Sequence, residues 1–213
     1  AINPQGGRQI TVTVGGDADS AAAISGSPFE EEAVITSTLD GVKYVRSVST
    51  TDELSFTDVA VASWYYDAVD YVCAAGLMSG TGDSTFGPDL ATSRATVTTS
   101  LWRMAGSPVV NYLMAFTDVD PGAWYGEAIR WAASEGVAGG YGGGQFGPGD
   151  PVTREQFAVM LHSYAQNQGY DVSIGEETNI LSYADAFDVS QWAVPAMQWA
   201  CGAGIITGTG DGS

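Results

Sequence analysis

The strongest constraint on the fold of this chain is an internal repeat. The segment FTDVAVASWYYDAVDYVCAAGLMSGTGDSTFGPD begins at Phe56, and FTDVDPGAWYGEAIRWAASEGVAGGYGGGQFGPGD begins at Phe116. A third copy, YADAFDVSQWAVPAMQWACGAGIITGTGDGS, runs from Tyr183 to the end of the sequence. The first two copies keep a constant offset of 60 residues as far as Arg94 and Arg154. Since a repeated unit of this length cannot enclose a core alone, several units are predicted to pack together.

Four positions correspond in all three copies. They are Asp58, Asp118 and Asp185, then Trp64, Trp124 and Trp192, then Gly76, Gly136 and Gly204, then Gly80, Gly140 and Gly208. This ordered set is too specific to follow from composition.

Each complete copy is predicted to fold as helix, loop, helix. The apolar positions of the first helix in copy one recur at helical spacing, at Trp64, Ala68, Tyr71, Val72 and Ala75. Gly76 and Gly136 follow where a left-handed residue ends a helix. The Gly-rich, Pro-containing stretch after them predicts a loop, with Phe86 and Phe146 placed to fill the core.

The second helix of each copy is predicted to begin after a hydroxyl residue. Thr153, three residues before Gln156, has the spacing of a capping box, and Ser93 is its equivalent in copy one. The predicted buried stripe is Phe157, Met160, Leu161 and Tyr164 in copy two, and Val97, Leu101, Trp102 and Met104 in copy one.

The amino-terminal part has a different pattern, which predicts β structure. ITVTV at 10–14 is β-branched, and two alternating segments within 31–48 meet at Asp40-Gly41, a hairpin signal. Residues 1–50 are therefore predicted to be a small β segment, either the tail of an upstream domain or strands that accompany the repeats. Residues 51–55 are predicted to be a linker, followed by repeat 1 (56–110), repeat 2 (111–172) and a partial repeat 3 (173–213).

The charge of the chain limits its partners. Seven Lys and Arg stand against 25 Asp and Glu, which gives a net charge of −18. Because no basic run interrupts this acidic field, nucleic acid and anionic membranes are excluded as partners. The longest apolar stretches are also shorter than the ~20 residues of a membrane-spanning helix, so no membrane insertion is predicted.

The motifs of the repeats resemble those of a known family. Phe-x-Asp-Val, Trp-Tyr-x-x-Ala, Gly-x-x-Phe-Gly-Pro and Val-Thr-Arg-Glu-Gln-Phe-Ala follow one another in the order of the S-layer homology (SLH) domain, over residues 56–213. The resemblance implies a mainly α fold, with three helix-loop-helix repeats in a pseudo-threefold bundle. It also implies an extracellular place on the bacterial cell wall or cell surface, and binding to pyruvylated secondary cell wall polysaccharide.

Two departures from the family pattern concern the arginine motif. Copy one reads Thr-Ser-Arg-Ala-Thr and lacks the acidic residue that follows the arginine in the family. Copy three ends at Ser213, before its own Thr-Arg motif. Residues 2–6, INPQG, are similar to the loop before a second SLH helix, but the residues after them favour a strand.

Arg94 and Arg154 are predicted to contact an anion. The first amides of a helix lack partners and carry partial positive charge, and an arginine beside them adds a planar fork for a carboxylate. From Phe56 onward the chain has 17 acidic residues and four cations, Arg94, Arg103, Arg130 and Arg154. One positive pocket per repeat in such a field would select a carboxylate, such as that of a pyruvate ketal.

Other residues near the motif complete the predicted site. The helix caps Ser93 and Thr153 belong to it, Gly80 and Gly140 would let a sugar approach the backbone, and Trp64 and Trp124 would stack on it. The arginines and the aromatic residues also have a purely structural interpretation. The arginines can instead pair with Asp58, Asp118 or Glu155 to hold loops, and the repeated aromatic residues can be core.

The remaining polar residues are predicted to have structural roles. Asp58, Asp118 and Asp185 are predicted to cap helices or turns, and His162 to lie on a solvated helix face. Asp83, Asp89 and Asp150 lack the spacing of an EF-hand, so no metal and no cofactor are predicted. Cys73 and Cys201 are interpreted as small buried thiols, with a disulfide as the alternative.

Three functions are compatible with this sequence. The first is a non-catalytic module that anchors an exported protein to anionic wall polysaccharide. The second is self-association into a surface lattice without glycan binding. The third, an enzyme acting on wall glycans, would need paired carboxylates in a cleft, and the scattered capping acids do not provide such a pair. The chain is therefore predicted not to be an enzyme.

Overall fold

The fold is taken from a computed structural model, which describes residues 54–173 and 180–208 together with the backbone of three strands nearer the amino terminus. The chain divides into two compact units, Ala1–Thr57 and Asp58–Ser213. The predicted strand at 10–14, the INPQG segment and residues 51–53 of the predicted linker lie outside the described residues.

The first unit contains an antiparallel sheet with the order β1-β2-β3. Its strands are β1 (Ala23–Ser25), β2 (Glu32–Leu39) and β3 (Val42–Ser49). Leu39 pairs with Val42, so the two long strands are joined by the two residues Asp40 and Gly41. The hairpin prediction is confirmed by this register, whereas β1 had no sequence signal.

The second unit is helical over its described residues. Its helices are α1 (Tyr66–Ala74), α2 (Arg94–Met104), α3 (Gly126–Ser134), α4 (Arg154–Asn167) and α5 (Val194–Gly202), with two short 3₁₀ turns, Ile180–Ser182 and Ala186–Asp188. Repeat 1 contains α1 and α2, repeat 2 contains α3 and α4, and repeat 3 contains α5. The predicted mainly α fold is confirmed.

The ends of these helices follow from the residues placed there. Ser93 accepts a hydrogen bond from the backbone N–H of Thr96, and Thr153 forms the predicted capping box with Gln156. At the other end of the first helices, Gly76, Gly136 and Gly204 have φ values of 67°, 70° and 69°. A side chain is strained at such angles, and glycine is not, so these positions end α1, α3 and α5.

The helices of neighbouring repeats pack on one another in a regular way. Helix α2 packs against α3 of the next repeat, α4 packs against α5, and α2 and α4 contact each other. The second helix of a repeat is therefore completed by the first helix of the repeat that follows. Each repeat therefore depends on its neighbour for a core, as expected for repeats too small to enclose one alone.

Two clusters of buried side chains form the core. The larger spans repeats 1 and 2 and includes Val97, Leu101, Ile129, Trp131, Val137, Phe146, Met160 and Tyr164. The smaller joins α4 to α5 through Ala158, Ala165, Ala196, Trp199 and Ala200. Most of the predicted stripe of the second helices is thus confirmed, although Met104 is exposed.

The predicted apolar face of α1 is wrong. The helix begins at Tyr66, after Trp64, and its buried residues are Tyr66 and Val69. Trp64 is 93% exposed and Tyr71 is 68% exposed. The predicted positions Ala68, Tyr71 and Ala75 do share one face, but it is the exposed side of the helix.

His162 does not lie on a solvated face. Its ring packs edge to face against Trp199 of α5, with 5.3 Å between ring centroids. Burial at this helix contact lowers the pKa of His162. In the part of the chain that the structure describes, no helix is long and apolar enough to cross a membrane.

Candidate functional site

An aspartate at the start of each complete repeat holds the loop between its two helices. The carboxylate of Asp58 accepts from the backbone N–H groups of Phe86 and Gly87, both over 2.8 Å. Asp118 accepts in the same way from Phe146, over 2.9 Å, and Gly147, over 2.8 Å. The predicted capping role of these two residues is confirmed, with loop amides as the capped groups.

These hydrogen bonds change the acidity of the two carboxyl groups. The hydrogen bond from Phe86, with a second from Gly87, lowers the pKa of Asp58 despite some opposing desolvation. For Asp118 desolvation is the largest influence and raises the pKa. The hydrogen bonds from Phe146 and Gly147 outweigh it, so that the pKa is lowered overall. Both aspartates are therefore held in the charged form.

The loop phenylalanine of repeat 2 fills the core as predicted. Phe146 is fully buried and packs against Phe116, with 5.2 Å between ring centroids. Gly140 allows the loop to close, because a Cβ at that position would lie 2.4 Å from the carbonyl oxygen of Gln145 and 2.7 Å from the Phe116 ring. The structure therefore gives Gly140 a role within its own loop.

Arg94 is buried at the junction of repeats 1 and 2. Only 5% of it is exposed. Its Nε donates to the carbonyl oxygen of Phe146 over 3.0 Å and its Nη2 to that of Gly139 over 2.6 Å. The guanidinium also lies 4.5 Å from the centre of the Tyr141 ring. Arg94 therefore ties the first repeat to the loop of the second and has no open face for an anion in this structure.

The helix end beside Arg94 is occupied as well. The backbone N–H of Arg94 donates to Asp150 O over 2.9 Å, and that of Ala95 donates to Pro148 O over 3.0 Å. With Ser93 bonded to the amide of Thr96, the first three amides of α2 have protein acceptors. The positive end of this helix is used for contact between repeats.

Arg154 holds the equivalent position in repeat 2 but has a different environment. It is exposed, and its Nη2 donates to the carbonyl oxygen of Thr207 in repeat 3, the counterpart of Gly139. Among the described residues none accepts a hydrogen bond from the backbone N–H of Arg154 or Glu155.

Glu155 makes a further contact between repeats 2 and 3. Its carboxylate accepts from the backbone N–H of Ser190 over 2.9 Å and from the Ser190 hydroxyl over 3.1 Å. Repeat 1 has Ala95 at this position. The sequence prediction missed this contact. The only sequence signal for this contact was the acidic residue of the Thr-Arg-Glu motif, which copy one lacks.

An open cavity of about 510 Å³ lies at the start of α4. Three of the predicted site residues line it, Trp64, Thr153 and Arg154. Thr92, Val97, Val152, Phe157 and residues 205–207 complete the wall. The structure therefore brings together an exposed aromatic ring, a guanidinium and a helix start whose first amides are not bonded to described residues.

The other predicted site residues are not part of this group. Arg94, Ser93 and Gly140 belong to the contacts described above. Trp124 is 62% exposed and packs edge to face on Tyr125, away from the cavity lining, and Gly80 does not line it either. The predicted structural pairing of the arginines with Asp58, Asp118 or Glu155 is not found. Both guanidinium groups donate to backbone carbonyls instead.

The two cysteines are free thiols. Burial raises the pKa of Cys73, and the charge of Asp70 raises it further. Burial also raises the pKa of Cys201, against the smaller lowering effects of a hydrogen bond with Tyr183 and the charge of Arg154. Within residues 54–173 and 180–208, no three His, Cys, Asp or Glu side chains are grouped closely enough to hold a metal ion.

The repeats match a known family at three places. The profile of the S-layer homology domain matches residues 55–98, 115–158 and 182–213, more than half of the chain. The chain belongs to the S-layer homology domain family. The first two SLH matches begin close to the aspartate that holds the loop and extend into the helix that follows the arginine motif.

Similar proteins include enzymes and surface-layer proteins. The chain is 28% identical over 72% of its length to an amylopullulanase of Thermoanaerobacterium thermosulfurigenes, and 29% identical over 77% to an endoglucanase of Bacillus sp. (strain KSM-635). It is 28% identical over 70% to the surface-layer 125 kDa protein of Lysinibacillus sphaericus. The matched regions cover only 8%, 17% and 12% of these curated relatives.

The SLH assignment confirms part of what the sequence predicted. The family, the repeated organisation and the extracellular, cell-surface location are confirmed at the level of the family and its surface-layer members. The SLH domain is a non-catalytic module, and the chain spans only a small part of the relatives that are named as enzymes. The absence of catalytic activity in this chain stays a prediction.

Proposed function

We propose that this chain anchors a protein to the bacterial cell surface by binding an anionic, pyruvylated wall polysaccharide at the start of α4. The observation that supports this proposal best is the cavity that Arg154, Thr153 and Trp64 line together. An anion there meets a guanidinium, two helix amides and an aromatic ring. A sugar that carries a carboxylate has groups complementary to all of them.

The electrostatic setting favours one anion at one place. The net charge of −18 repels anions from most of the surface, so a polymer that binds must do so through a local positive group. The other cations of the repeats already have partners: Arg94 and Arg103 donate to backbone carbonyls, and Arg130 pairs with Glu127. Of these four arginines, Arg154 is the one that is exposed and lines an open cavity.

The proposal leaves Arg94 out of the binding site. A carboxylate could reach this guanidinium only by displacing the carbonyl groups of Phe146 and Gly139, which already accept its hydrogen bonds. Breaking those hydrogen bonds would separate repeat 1 from the loop of repeat 2. One ligand site, at the junction of repeats 2 and 3, is therefore proposed in the described region.

Calorimetric titration with purified pyruvylated wall polysaccharide tests the proposal. Arg154→Ala is expected to weaken binding by roughly tenfold to a hundredfold, since hydrogen bonds to a charged group are stronger than neutral ones. Arg130→Ala is the matched control, because it removes the same charge from a surface pair outside the cavity. Trp64→Ala is expected to weaken binding as well, with exposed Trp192 as its control.

The polymer supplies a second control. Removal of the pyruvate should abolish the difference between Arg154→Ala and the unchanged chain, because the carboxylate is then absent. Equal loss of binding in Arg130→Ala and Arg154→Ala would mean that overall charge is responsible, and the proposed site would be wrong. Full binding by Arg154→Ala would contradict it as directly.

Self-association is the second candidate function. Its support is a group of exposed apolar side chains in the connection between repeats 1 and 2, with Val109 81% and Leu113 93% exposed. The surface-layer proteins among the relatives point the same way. Sedimentation over a range of concentrations, without polysaccharide, would detect it, and Leu113→Ser should then reduce the assembled fraction.

A further inference from the structure

The connection between α2 and the start of repeat 2 runs extended along the surface. Residues 107–116 contain no helix, turn or bend. Alternate residues of this segment pack against the larger buried cluster, namely Val110, Met114 and Phe116. The residues that alternate with them face outward, and Val109 is 81% and Leu113 93% exposed. The segment therefore has the pattern of a β-strand that lies with one face on a core.

The backbone of this segment is fixed at its ends and unpaired between them. Trp102 Nε1 donates to the carbonyl oxygen of Pro108 over 2.8 Å, and the N–H of Thr117 donates to that of Gly144 over 2.8 Å. Neither the N–H nor the C=O groups of residues 109–116 are hydrogen-bonded to a described residue. An extended segment of this kind can accept a second strand along its edge.

The sequence of the segment lacks the features that keep a free edge unpaired. Charged side chains and prolines normally block such pairing. Residues 104–117 contain no charged residue, and Pro108 precedes the unpaired stretch instead of interrupting it. The stretch is also rich in residue types that favour strands, Val109, Val110, Tyr112 and Phe116. Nothing in its composition opposes the addition of a strand.

A second copy of this chain fits the segment, because the segment is complementary to itself. Two copies with a net charge of −18 repel each other, and they approach most easily where the surface is uncharged. In an antiparallel pair centred on Asn111, Val109 of each copy lies opposite Leu113 of the other. The two Asn111 amides, each a donor and an acceptor, lie opposite each other. This arrangement has a twofold axis, the commonest symmetry of dimers.

We propose that residues 109–113 form a β-pairing surface for a second copy of this chain, antiparallel about Asn111. The inference rests on self-association, the second candidate function, and is independent of the polysaccharide site. A pair of short strands is smaller than the roughly 1,200 Å² of a stable interface, so the pairing should be weak in solution. Copies anchored side by side on a surface have a high local concentration, which favours the paired state.

Disulfide trapping in the full chain tests the register of the pair. The variants are made in a chain whose two native thiols, Cys73 and Cys201, are replaced by serine. Residues directly opposite each other in an antiparallel pair have Cα atoms about 4.5–5.5 Å apart, a distance that a disulfide can join. Asn111→Cys should therefore give a covalent dimer under mild oxidation.

Val109→Cys and Leu113→Cys are the matched controls, because both positions are exposed and neither lies opposite itself. Four residues along a strand span about 13 Å, which is too far for a disulfide. Each control alone should therefore cross-link at least about tenfold less than Asn111→Cys. A mixture of the two controls should cross-link one variant to the other.

Hydrogen exchange provides a second measurement on the unchanged chain. Exchange of alternate amides within residues 109–113 should slow as the protein concentration rises, because pairing gives these amides acceptors. The amide of Gly143, exposed in the loop of repeat 2, is the control and should exchange at the same rate at every concentration.

Sedimentation at the same concentrations separates the remaining outcomes. Equal cross-linking of all three single variants would overturn the antiparallel pairing, because it would join every position to itself. A dimer with neither the Asn111 cross-link nor slowed exchange would overturn this inference and leave self-association standing. If the chain shows no dimer, no cross-link and no slowed exchange up to about 1 mM, both are wrong.

Discussion

The two junctions between repeats carry the same arginine, and the protein uses it differently in each. At the junction of repeats 1 and 2, Arg94 is buried and makes hydrogen bonds to Phe146 and Gly139. At the junction of repeats 2 and 3, Arg154 is exposed, lines a cavity and, among the described residues, donates only to Thr207. The motif is shared, and what differs is the loop opposite it.

This comparison shows that the arginine of the motif can join two repeats, as Arg94 does. Where a complete loop follows, its carbonyls take the guanidinium and the helix amides of α2. At the start of α4, none of the described residues accepts a hydrogen bond from the first two amides, and Arg154 is exposed. The contacts of this arginine therefore differ between the two junctions although its place in the repeat is the same.

Replacement of the two arginines by alanine gives the largest expected contrast. Arg94→Ala removes the donor to the buried Phe146 carbonyl and to the Gly139 carbonyl, together with a packed side chain, so it should lower the free energy of unfolding by about 2–4 kcal/mol. Arg154→Ala should lower it by only about 0–1 kcal/mol, because that side chain is exposed. Urea denaturation followed by tryptophan fluorescence measures both values.

A lysine at position 94 refines this test. Arg94→Lys keeps the charge and loses the fork that reaches two carbonyls at once, so it should recover only part of the loss. Equal stability of Arg94→Ala and Arg154→Ala would contradict the distinction between the junctions.

The next contrast compares two adjacent glycines of the repeat 2 loop. Gly140→Ala should destabilise the chain by about 1–3 kcal/mol, since its Cβ would overlap the Gln145 carbonyl and the Phe116 ring. Gly139→Ala is the control, because a Cβ there has no atom within 4 Å. If thermal unfolding shows the same loss for both variants, flexibility and not close contact explains the conservation of glycine between the copies.

The sequence predicted the helices well because their ends carry local signals. The caps at Ser93 and Thr153 and the glycines at 76 and 136 act within a few residues, and each was recognisable from its type and spacing. The face of α1 was predicted wrongly because helical spacing groups Ala68, Tyr71 and Ala75 on one face but does not say that the opposite face, with Val69, meets the core. The exposure of Trp64 could not be known without the turns before it.

The candidate site was only partly predictable, since it depends on contacts between repeats. Arg94 and Arg154 hold the same position in the repeat, each after a Phe-Gly-Pro loop and a hydroxyl capping residue, yet one is buried and the other exposed. Both donate to equivalent carbonyls, of Gly139 and Thr207, and the difference is that Arg94 also contacts Phe146, which lies 52 positions later, and the Tyr141 ring. The residues around each arginine do not indicate whether such a distant loop contacts it.

A smaller contrast is expected between equivalent aspartates. Asp118→Asn weakens two hydrogen bonds to the loop, and a loss of about 1 kcal/mol is expected because the site is partly open to solvent. Asp185→Asn should be nearly neutral, because no described residue donates a hydrogen bond to its carboxylate. Thermal unfolding of the two variants side by side measures the difference. A loss at Asp185 as large as at Asp118 would mean that repeat 3 already holds its loop.

The smallest expected effect is the acid dependence of stability, and it comes from Asp58 and Asp118. Both have a folded-state pKa below the ordinary value of 3.8. Their stabilising contribution is therefore complete above about pH 4 and is lost as the pH falls through the lowered folded-state values. Urea midpoints of the unchanged chain should fall more steeply below pH 4 than those of the double variant Asp58→Asn/Asp118→Asn.

Asp171 provides the control that connects this acid dependence to the loops. Its pKa is also lowered, first by the side-chain hydroxyl of Ser173 and then by the Ser173 amide. These bonds span two residues, so a similar turn can form in the unfolded chain, and only a difference between the two states contributes to stability. Asp171→Asn should therefore leave the acid dependence almost unchanged. If it flattens the curve as much as the double variant does, the long-range bonds to the loops are not its source.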